Sequence, residues 1–304
     1  MRHLLIISAS ALAIAACAPE GEDASEETAE NGAASEMADA AGEMAGEAAE
    51  AVEDAAEEVE AMAEDAMDGE TEEAAAPEWG YDGEIAAAEW GSLDEAWAAC
   101  DAGTEQSPID FTAPYEGDAP VPELAWTPST GATVVDNGHT IQVNLEGAGG
   151  LTLAGTEYDL VQFHFHAGSE HTLDGEQYPF EVHFVHASDA GELAVVGVFF
   201  EDGEAEPALE PIWANLPDGE GEAALDAAVD ANAFLPDETT AWRYAGSLTT
   251  PPCSEGVAWT VFADPITLSS DQLAGFTARY DGNYRPVQPL NDRTVAAEEV
   301  GEGE

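Results

Sequence analysis

Positive charge is the first thing this 304-residue sequence lacks: it contains no lysine, and Lys and Arg together number 5 against 65 Asp and Glu. The formal net charge is −60. Proteins that bind DNA or RNA need Lys and Arg to neutralise phosphate groups. The composition therefore excludes a nucleic-acid partner, and it predicts strong repulsion between surface carboxylates that salt would screen.

Aromatic residues are missing from the first quarter of the chain. All 7 Trp, 7 Tyr and 10 Phe lie at or after position 79. Residues 18–78 are mostly Ala, Glu, Asp, Gly and Met, which cannot bury enough apolar surface to fold, so we predict an acidic tether that is largely disordered or a fluctuating helix. One globular domain is predicted over residues 79–297, followed by an acidic tail over 298–304.

The N-terminus reads MRHLLIISASALAIAACAPE, a basic start followed by a short apolar run and small residues. This order is typical of a secretory signal peptide. The run ends in IAAC, which resembles a bacterial lipobox and predicts a signal over residues 1–17 with a lipid on Cys17. Export to the cell envelope follows, with this lipid as the membrane contact at the periplasmic face of the outer membrane or at the cell surface. A plain signal peptide is the alternative.

Cysteine is scarce, with 3 in the chain. If Cys17 carries a lipid, Cys100 and Cys253 remain. In an oxidising compartment these two can form a disulfide that closes a very long loop. Unpaired buried thiols remain the alternative.

Runs of β-branched and aromatic residues separated by Gly, Pro, Asp and Asn predict strands. Such runs are ATVVDNGHTIQVNL, YDLVQFHFH, FEVHFVHA, ELAVVGVFFE and VAWTVFADPITL. Helical patterns are few. Ser92 with Glu95 forms a capping-box pattern, and Ser269 or Ser270 is predicted to cap another short helix. The sequence therefore predicts a mainly β domain with short helices.

Three of the 7 histidines crowd into LVQFHFHAGSEHT, residues 160–172. Side chains two apart in a strand lie on the same face. His164 and His166 therefore share a face, while Phe163 and Phe165 point into a core on the other. Two imidazoles at this spacing can hold one metal ion.

A second strand, FEVHFVHA, carries His183 and His186. These two point to opposite faces, so only one of them can join the first pair, and the pattern does not choose between them. Neutral imidazole ligands without a thiolate suit Zn, Cu, Fe or Ni. The residues predict a metal site but leave the metal open.

Two protein families have motifs with this local spacing. HFHAGSE is close to the first metal motif of cupins, but the second cupin motif is missing. The chain resembles the α-class carbonic anhydrases across essentially the whole globular part. The resemblance rests on seven motifs in order: WGY at 79–81, QSPID at 106–110, DNGHT at 136–140, QFHFHAGSEHT at 162–172, EVHFVH at 181–186, GSLTTPPC at 246–253 and RPVQPLNDR at 285–293.

The resemblance implies a large twisted, mostly antiparallel sheet and a zinc site. The Zn²⁺ ligands would be His164, His166 and His183, with water in the fourth position, while His171 and His186 would not be ligands. Gln162 and Glu181, each two residues before a ligand and on its face, would orient two of the imidazoles, and the backbone carbonyl of Asn283 would hold the third.

The resemblance also implies the reaction, which is the reversible hydration of CO₂ to bicarbonate and a proton by zinc-bound hydroxide. Thr249 would accept the hydroxide proton and donate its own to Glu170. His139, after an Asn-Gly turn and therefore expected to be exposed and mobile, would carry protons out. The residues expected to contact CO₂ are Val185, Val195, Leu248, Thr249, Thr250, Val257 and Trp259.

Two other functions remain open at this point. A cupin-like oxygenase would use the histidines to hold a redox metal. A non-catalytic carbonic-anhydrase-like binding module would keep the fold without the reaction, although inactive relatives typically lack a zinc histidine and all three are present here.

Overall fold

Strands dominate the part of the chain that the computed structural model describes, which comprises residues 77–113, 115 and 119–302. In chain order the strands are β1 (Asp110–Phe111), β2 (Glu123–Trp126), β3 (Thr133–Asp136), β4 (Ile141–Asn144), β5 (Gly149–Leu153), β6 (Thr156–Ala167), β7 (Thr172–Leu173), β8 (Glu176–Gln177), β9 (Phe180–Ala187), β10 (Leu193–Asp202), β11 (Gly221–Ala224), β12 (Thr240–Ser247), β13 (Glu255–Phe262), β14 (Ile266–Leu268), β15 (Ala296–Glu299) and β16 (Gly301–Glu302). The α-helices are α1 (Trp90–Leu93), α2 (Ala99–Ala102), α3 (Glu210–Trp213) and α4 (Ser270–Thr277). Turns of 3₁₀-helix cover Gly83–Ile85, Glu95–Trp97, Pro207–Leu209 and Ala231–Phe234. The predicted mainly β class is confirmed.

One large sheet contains most of these strands, in the order β11-β3-β4-β6-β9-β10-β13-β12-β15. All neighbours along this path are antiparallel except β10 and β13. The mostly antiparallel sheet implied by the resemblance is therefore confirmed. Strand β15 pairs with β12 and β16 pairs with β2, so the sheet extends past residue 297.

The two faces of the sheet are covered by different side chains, as the alternation in β6 predicts. Phe163 and Phe165 are fully buried in a large apolar cluster on one face. The opposite face carries a second apolar cluster, which includes Val195 and Trp259. His164 lies on this second face, so the histidine site shares a cavity with Val195 and Trp259 of the second cluster.

Helix caps follow the sequence in one case and not in the other. Ser269 caps α4 and forms a capping box with Gln272, as predicted. The predicted capping box at Ser92 is wrong, because Ser92 lies inside α1 and its hydroxyl donates to the carbonyl of Glu89. Asp94 is the residue that caps the following 3₁₀ turn, through a bond from the Ala96 amide.

A disulfide joins Cys100 and Cys253, which are 153 residues apart. Both cysteines are buried with Trp90 and Trp97 in a separate apolar cluster. The cross-link fixes the segment around α2 to the end of the loop that follows β12. The predicted pairing is therefore present in the structure.

Arginines in the described residues are held by internal contacts. Arg285 is 1% exposed, and its guanidinium donates to Gln106 Oε1 and to the carbonyls of Ser107 and Cys100. Arg293 donates only to carbonyl oxygens, those of Leu290, Ala245, Gln106 and Pro289. The remaining two bind carboxylates: Arg243 that of Glu298 and Arg279 that of Asp136.

Several sequence predictions lie outside the described residues, namely the signal peptide, the lipid on Cys17 and the tether up to residue 76. The chain divides after Ala75 into two units, and the second contains all of the described residues. Within these residues, no helix combines the length and the apolar character needed to cross a membrane.

Candidate metal centre

The three predicted ligands meet because β6 and β9 are neighbours in the sheet. The register places His164 directly opposite His183. His166 follows two residues later on the face of His164. The three ring centroids are 5.1 Å (His164–His166), 5.4 Å (His164–His183) and 4.6 Å (His166–His183) apart. Sheet pairing thus supplies the third imidazole that the sequence pattern could not choose.

Acceptors two residues before a ligand orient two of the imidazoles. His164 Nδ1 donates to Gln162 Oε1 at 2.9 Å, and His183 Nε2 donates to Glu181 Oε1 at 2.9 Å. Both contacts match the geometry predicted from strand alternation. Each bond fixes the tautomer of the ring and directs the other nitrogen toward the site.

The third acceptor comes from a distant segment of the chain. The carbonyl of Asn283 accepts from His166 Nδ1 at 2.8 Å, which is the contact that the resemblance implied for the third imidazole. The physical reason lies in β6, where the position two residues before His166 is taken by His164. The acceptor for His166 must therefore come from another segment, and the loop after α4 provides it.

One nitrogen of each ring is left facing the site. His164, His166 and His183 each place one ring nitrogen within 4.8 Å of the other two. His166 Nε2 and His183 Nδ1 are buried and have no hydrogen-bond partner among the described residues. Buried polar atoms without a partner are costly and rare, and here they converge on one point.

The charge of Glu181 supports the arrangement. Burial alone would raise the pKa of Glu181, but the charges of His171 and His183 and their hydrogen bonds hold this pKa well below its usual range. In return, Glu181 outweighs the effect of burial on His183 and raises the pKa of that ring. An ionised acceptor increases the basicity of the nitrogen on the opposite side of the imidazole.

His171 and His186, the other two buried histidines, use both ring nitrogens in hydrogen bonds outside the metal centre. His171 Nδ1 donates to Glu181 Oε1 at 2.8 Å, and His171 Nε2 lies 2.7 Å from the Tyr244 hydroxyl. His186 Nε2 accepts from Trp126 Nε1 at 2.9 Å, and its Nδ1 donates to the Ala194 carbonyl. Burial lowers the pKa of His186 to about 4, which keeps the ring neutral. Neither ring has a nitrogen free for a metal.

Glu170 is close to the three imidazoles but is not connected as predicted. Its Oε1 accepts from the Arg285 amide at 2.8 Å. Its Oε2 lies 3.6 Å from His166 Nε2 and 3.8 Å from His183 Nδ1, and it has no hydrogen-bond partner among the described residues. The expected bond from Thr249 is therefore not formed, because the free oxygen is turned toward the imidazole nitrogens.

A cavity of about 170 Å³ adjoins the three histidines. Six of the seven residues expected to contact CO₂ line it: Val185, Val195, Leu248, Thr249, Thr250 and Trp259. Val257 is the exception, since it is buried in the second apolar cluster and does not line this cavity. Alternation does put Val257 on the face of Trp259, but two residues span almost 7 Å of strand, so a shared face does not imply a shared site.

His139 also lines this cavity, although not as an exposed side chain. The turn is as predicted: Gly138 has φ of +85°, and the amides of His139 and Thr140 donate to Asn137 Oδ1. The ring is half-buried, however, and stacks on Trp79 with centroids 3.7 Å apart and planes 8° apart. The prediction of an exposed ring is wrong, because Trp79 covers one face of it, a contact that no local pattern indicates.

Residues 86–299 match the family model described as eukaryotic-type carbonic anhydrase. The chain belongs to this family. Membership confirms the resemblance noted in the sequence and rules out the cupin-like alternative. It also confirms the enzyme class, carbonic anhydrase, whose reaction is the hydration of CO₂.

The alignments of this carbonic anhydrase with its relatives extend over most of each relative's length. A carbonic anhydrase of Klebsiella pneumoniae is 44% identical over 224 residues, which are 72% of this chain and 91% of that protein. One from Nostoc is 42% identical and covers 71% and 84%. The solved α-carbonic anhydrase of Thermovibrio ammonificans, in complex with the inhibitor sulfanilamide, is 43% identical, with a TM-score of 0.69 and coverage of 72% of this chain and 99% of that one.

Sequence reasoning assigned no role to some residues of this carbonic anhydrase site. Trp79 and Tyr81 line the cavity, yet WGY served only as a motif of the resemblance. The Asn283 side chain donates to the carbonyl of His139, while its main chain holds His166. The WGY motif is the available signal for Trp79 and Tyr81, whereas nothing local indicates the bond from the Asn283 side chain to the carbonyl of His139.

Proposed function

We propose that this protein is a zinc-dependent carbonic anhydrase that hydrates CO₂ in the cavity beside His164, His166 and His183, with His139 as its proton shuttle. The observation that carries the proposal is the convergence of three imidazole nitrogens whose outer nitrogens are each held by a different acceptor.

The residues present fit Zn²⁺. Three histidines with a fourth, open position are the ligand set of catalytic zinc sites. Two of the inward nitrogens are buried and have no hydrogen-bond partner in the part of the chain that the structure describes. Burial also lowers the pKa of His164 and His166, which favours the neutral rings that a metal needs. When bound, Zn²⁺ lowers the pKa of a water ligand to about 7, a value for which carbonic anhydrases are themselves the reference case.

Other side chains of the cavity would bind CO₂ and orient the nucleophile. Val185, Val195, Leu248 and Trp259 provide an apolar wall, which suits CO₂ because the molecule is small and has no dipole. Thr249 is 5% exposed and brings a hydroxyl to the same cavity. We assign Thr249 to orienting the nucleophile toward that wall.

Each hydration event releases a proton inside the cavity, and the proton must leave before the next turnover. Transfer from a group with a pKa near 7 directly to water is limited to about 10³ s⁻¹, since recombination cannot exceed the diffusion limit. His139 lines the cavity beside the three proposed metal ligands but is not one of them, so its ring is available to carry protons. An imidazole titrates in the range that a relay requires.

His139→Ala is expected to lower kcat about tenfold or more at low buffer concentration, while kcat/KM for CO₂ stays nearly unchanged. The split is expected because proton release follows the step in which CO₂ reacts. Stopped-flow hydration at about neutral pH measures both constants. Added imidazole should restore much of the lost kcat, and an unchanged kcat at low buffer would remove His139 from the shuttle role.

The proposal as a whole is tested by metal analysis combined with a CO₂ hydration assay. We expect about one Zn per chain, loss of activity after chelation and recovery with Zn²⁺. A protein that binds zinc without hydrating CO₂ would instead be a non-catalytic binding module. A redox metal in place of zinc, again without hydration, would contradict both the cofactor and the reaction.

A further inference from the structure

We infer that Glu220 is a positioning residue for His139, whose carboxylate stabilises the protonated imidazole and so keeps the ring able to accept protons from the cavity. The inference rests on the proposed shuttle role of His139, and it assigns a function to a residue that touches neither substrate nor metal.

Strand pairing brings Glu220 to the turn that carries His139. Strand β11 pairs with β3 in antiparallel register, and Gly221 lies opposite Asp136. Glu220 immediately precedes β11, so it lies beside the residues that follow Asp136, the turn at 137–139. Both ends of this contact are therefore fixed by the large sheet.

Close packing confirms the proximity. A Cβ placed on Gly138 would lie 3.3 Å from both Cδ and Oε1 of Glu220. The carboxylate therefore rests against the glycine that precedes His139. Glu220 and His139 also line the same cavity of about 620 Å³, which is distinct from the one that holds the three imidazoles.

Other charged and titratable groups of that cavity come from two further segments. Glu78, Tyr81 and Asp82 belong to the N-terminal segment of the domain, and Arg279, Tyr280 and Asp281 follow α4. Arg279 is already occupied, because it donates to Asp136 Oδ2 at 2.6 Å and to the Pro217 carbonyl at 2.7 Å. Tyr280 also donates to Asp136.

Electrostatics at His139 then result from two opposing effects. Burial lowers the pKa of His139, and the negative charge of Glu220 raises it. Burial comes in part from the stacked ring of Trp79. A relay transfers protons best when its pKa is near that of the donor and near the working pH. Glu220 offsets the loss of basicity that the Trp79 contact would otherwise cause.

The test compares Glu220→Gln with Glu222→Gln in the zinc-loaded enzyme. Glu222 is also an exposed carboxylate, one strand position beyond Gly221 and opposite Val135, and it does not line the cavity of His139. We measure the pKa of the His139 ring by NMR titration, with the His139→Ala spectrum to assign its signal, and kcat at low buffer near neutral pH.

Glu220→Gln should lower the pKa of His139 and reduce kcat about two- to threefold, because the lost charge belongs to an exposed carboxylate, whose effect on the ring is weakened by solvent. The value of kcat/KM should stay constant, Glu222→Gln should change neither quantity, and about 1 M salt should erase the difference in pKa.

Two outcomes would overturn the inference in different ways. An unchanged pKa of His139 in Glu220→Gln, with His139→Ala still slow, refutes the role of Glu220 alone. A lowered pKa of His139 in Glu220→Gln, together with an unchanged kcat in that variant and in His139→Ala, refutes the shuttle assignment on which the inference depends.

Discussion

His183→Gln is expected to abolish zinc binding and CO₂ hydration together, whereas His186→Gln should keep both. His183 Nδ1 is buried, has no hydrogen-bond partner within the described residues, and faces the other two inward nitrogens. Losing an outer hydrogen-bond partner of a ligand already costs roughly 10–100-fold in metal affinity, and losing the ligand itself should cost more. The metal content of the dialysed protein and its hydration rate measure the effect.

His186 makes the comparison sharp because it is only three residues further along the same strand. It lies on the opposite face, where it accepts from Trp126 and donates to the Ala194 carbonyl. A glutamine there can still accept from the indole, so the variant should fold, with circular dichroism as the check. Zinc retained in His183→Gln but lost from His186→Gln would refute the ligand assignment and the site built on it.

Removing the disulfide is expected to have the largest effect on stability. The double variant Cys100→Ser/Cys253→Ser should lose about 5 kcal/mol of unfolding free energy, the chain-entropy estimate for a closed loop of this length. The bond spans 153 residues and is buried with two tryptophans. Urea unfolding of the variant and of the unreduced wild type gives the difference.

The same variant should also be slower. The backbone amide of Cys253 donates to the carbonyl of Thr250, the neighbour of Thr249, so a freed Cys253 loosens that loop. We expect a lower kcat/KM with zinc retained. Reductant should reproduce the loss of stability in the wild type and leave the double variant unaffected. Two alkylatable thiols in the native, unreduced protein would contradict the prediction.

Alternation along single strands predicted much of the site. It separated His164 from Phe163 and His183 from His186, and it paired Gln162 with its ligand. All of these depend on residues two or three apart, where strand geometry is nearly fixed. The resemblance then selected His183, and sheet pairing explains that selection.

The wrong exposure predicted for His139 comes from a contact between segments far apart in sequence. Trp79, which covers His139, lies 60 residues earlier in the chain. Val257 was wrong for a different reason: strand alternation placed it on the face of Trp259, but it does not line the cavity. Ser92 failed for a local reason, because Asp94 competes as a cap only two residues later.

The arrangement of the arginines has a consequence for proteolysis and chemical labelling. Trypsin cuts only after Lys or Arg, and needs the cleavage site in an accessible, extended segment. This chain has no lysine, and the arginines of the described domain have their guanidinium groups bound to carbonyls or carboxylates within the fold. The folded domain therefore offers trypsin few places to cut, and reagents directed at lysine amines find no target side chain. Its carboxylates are the groups through which it can be attached to a support.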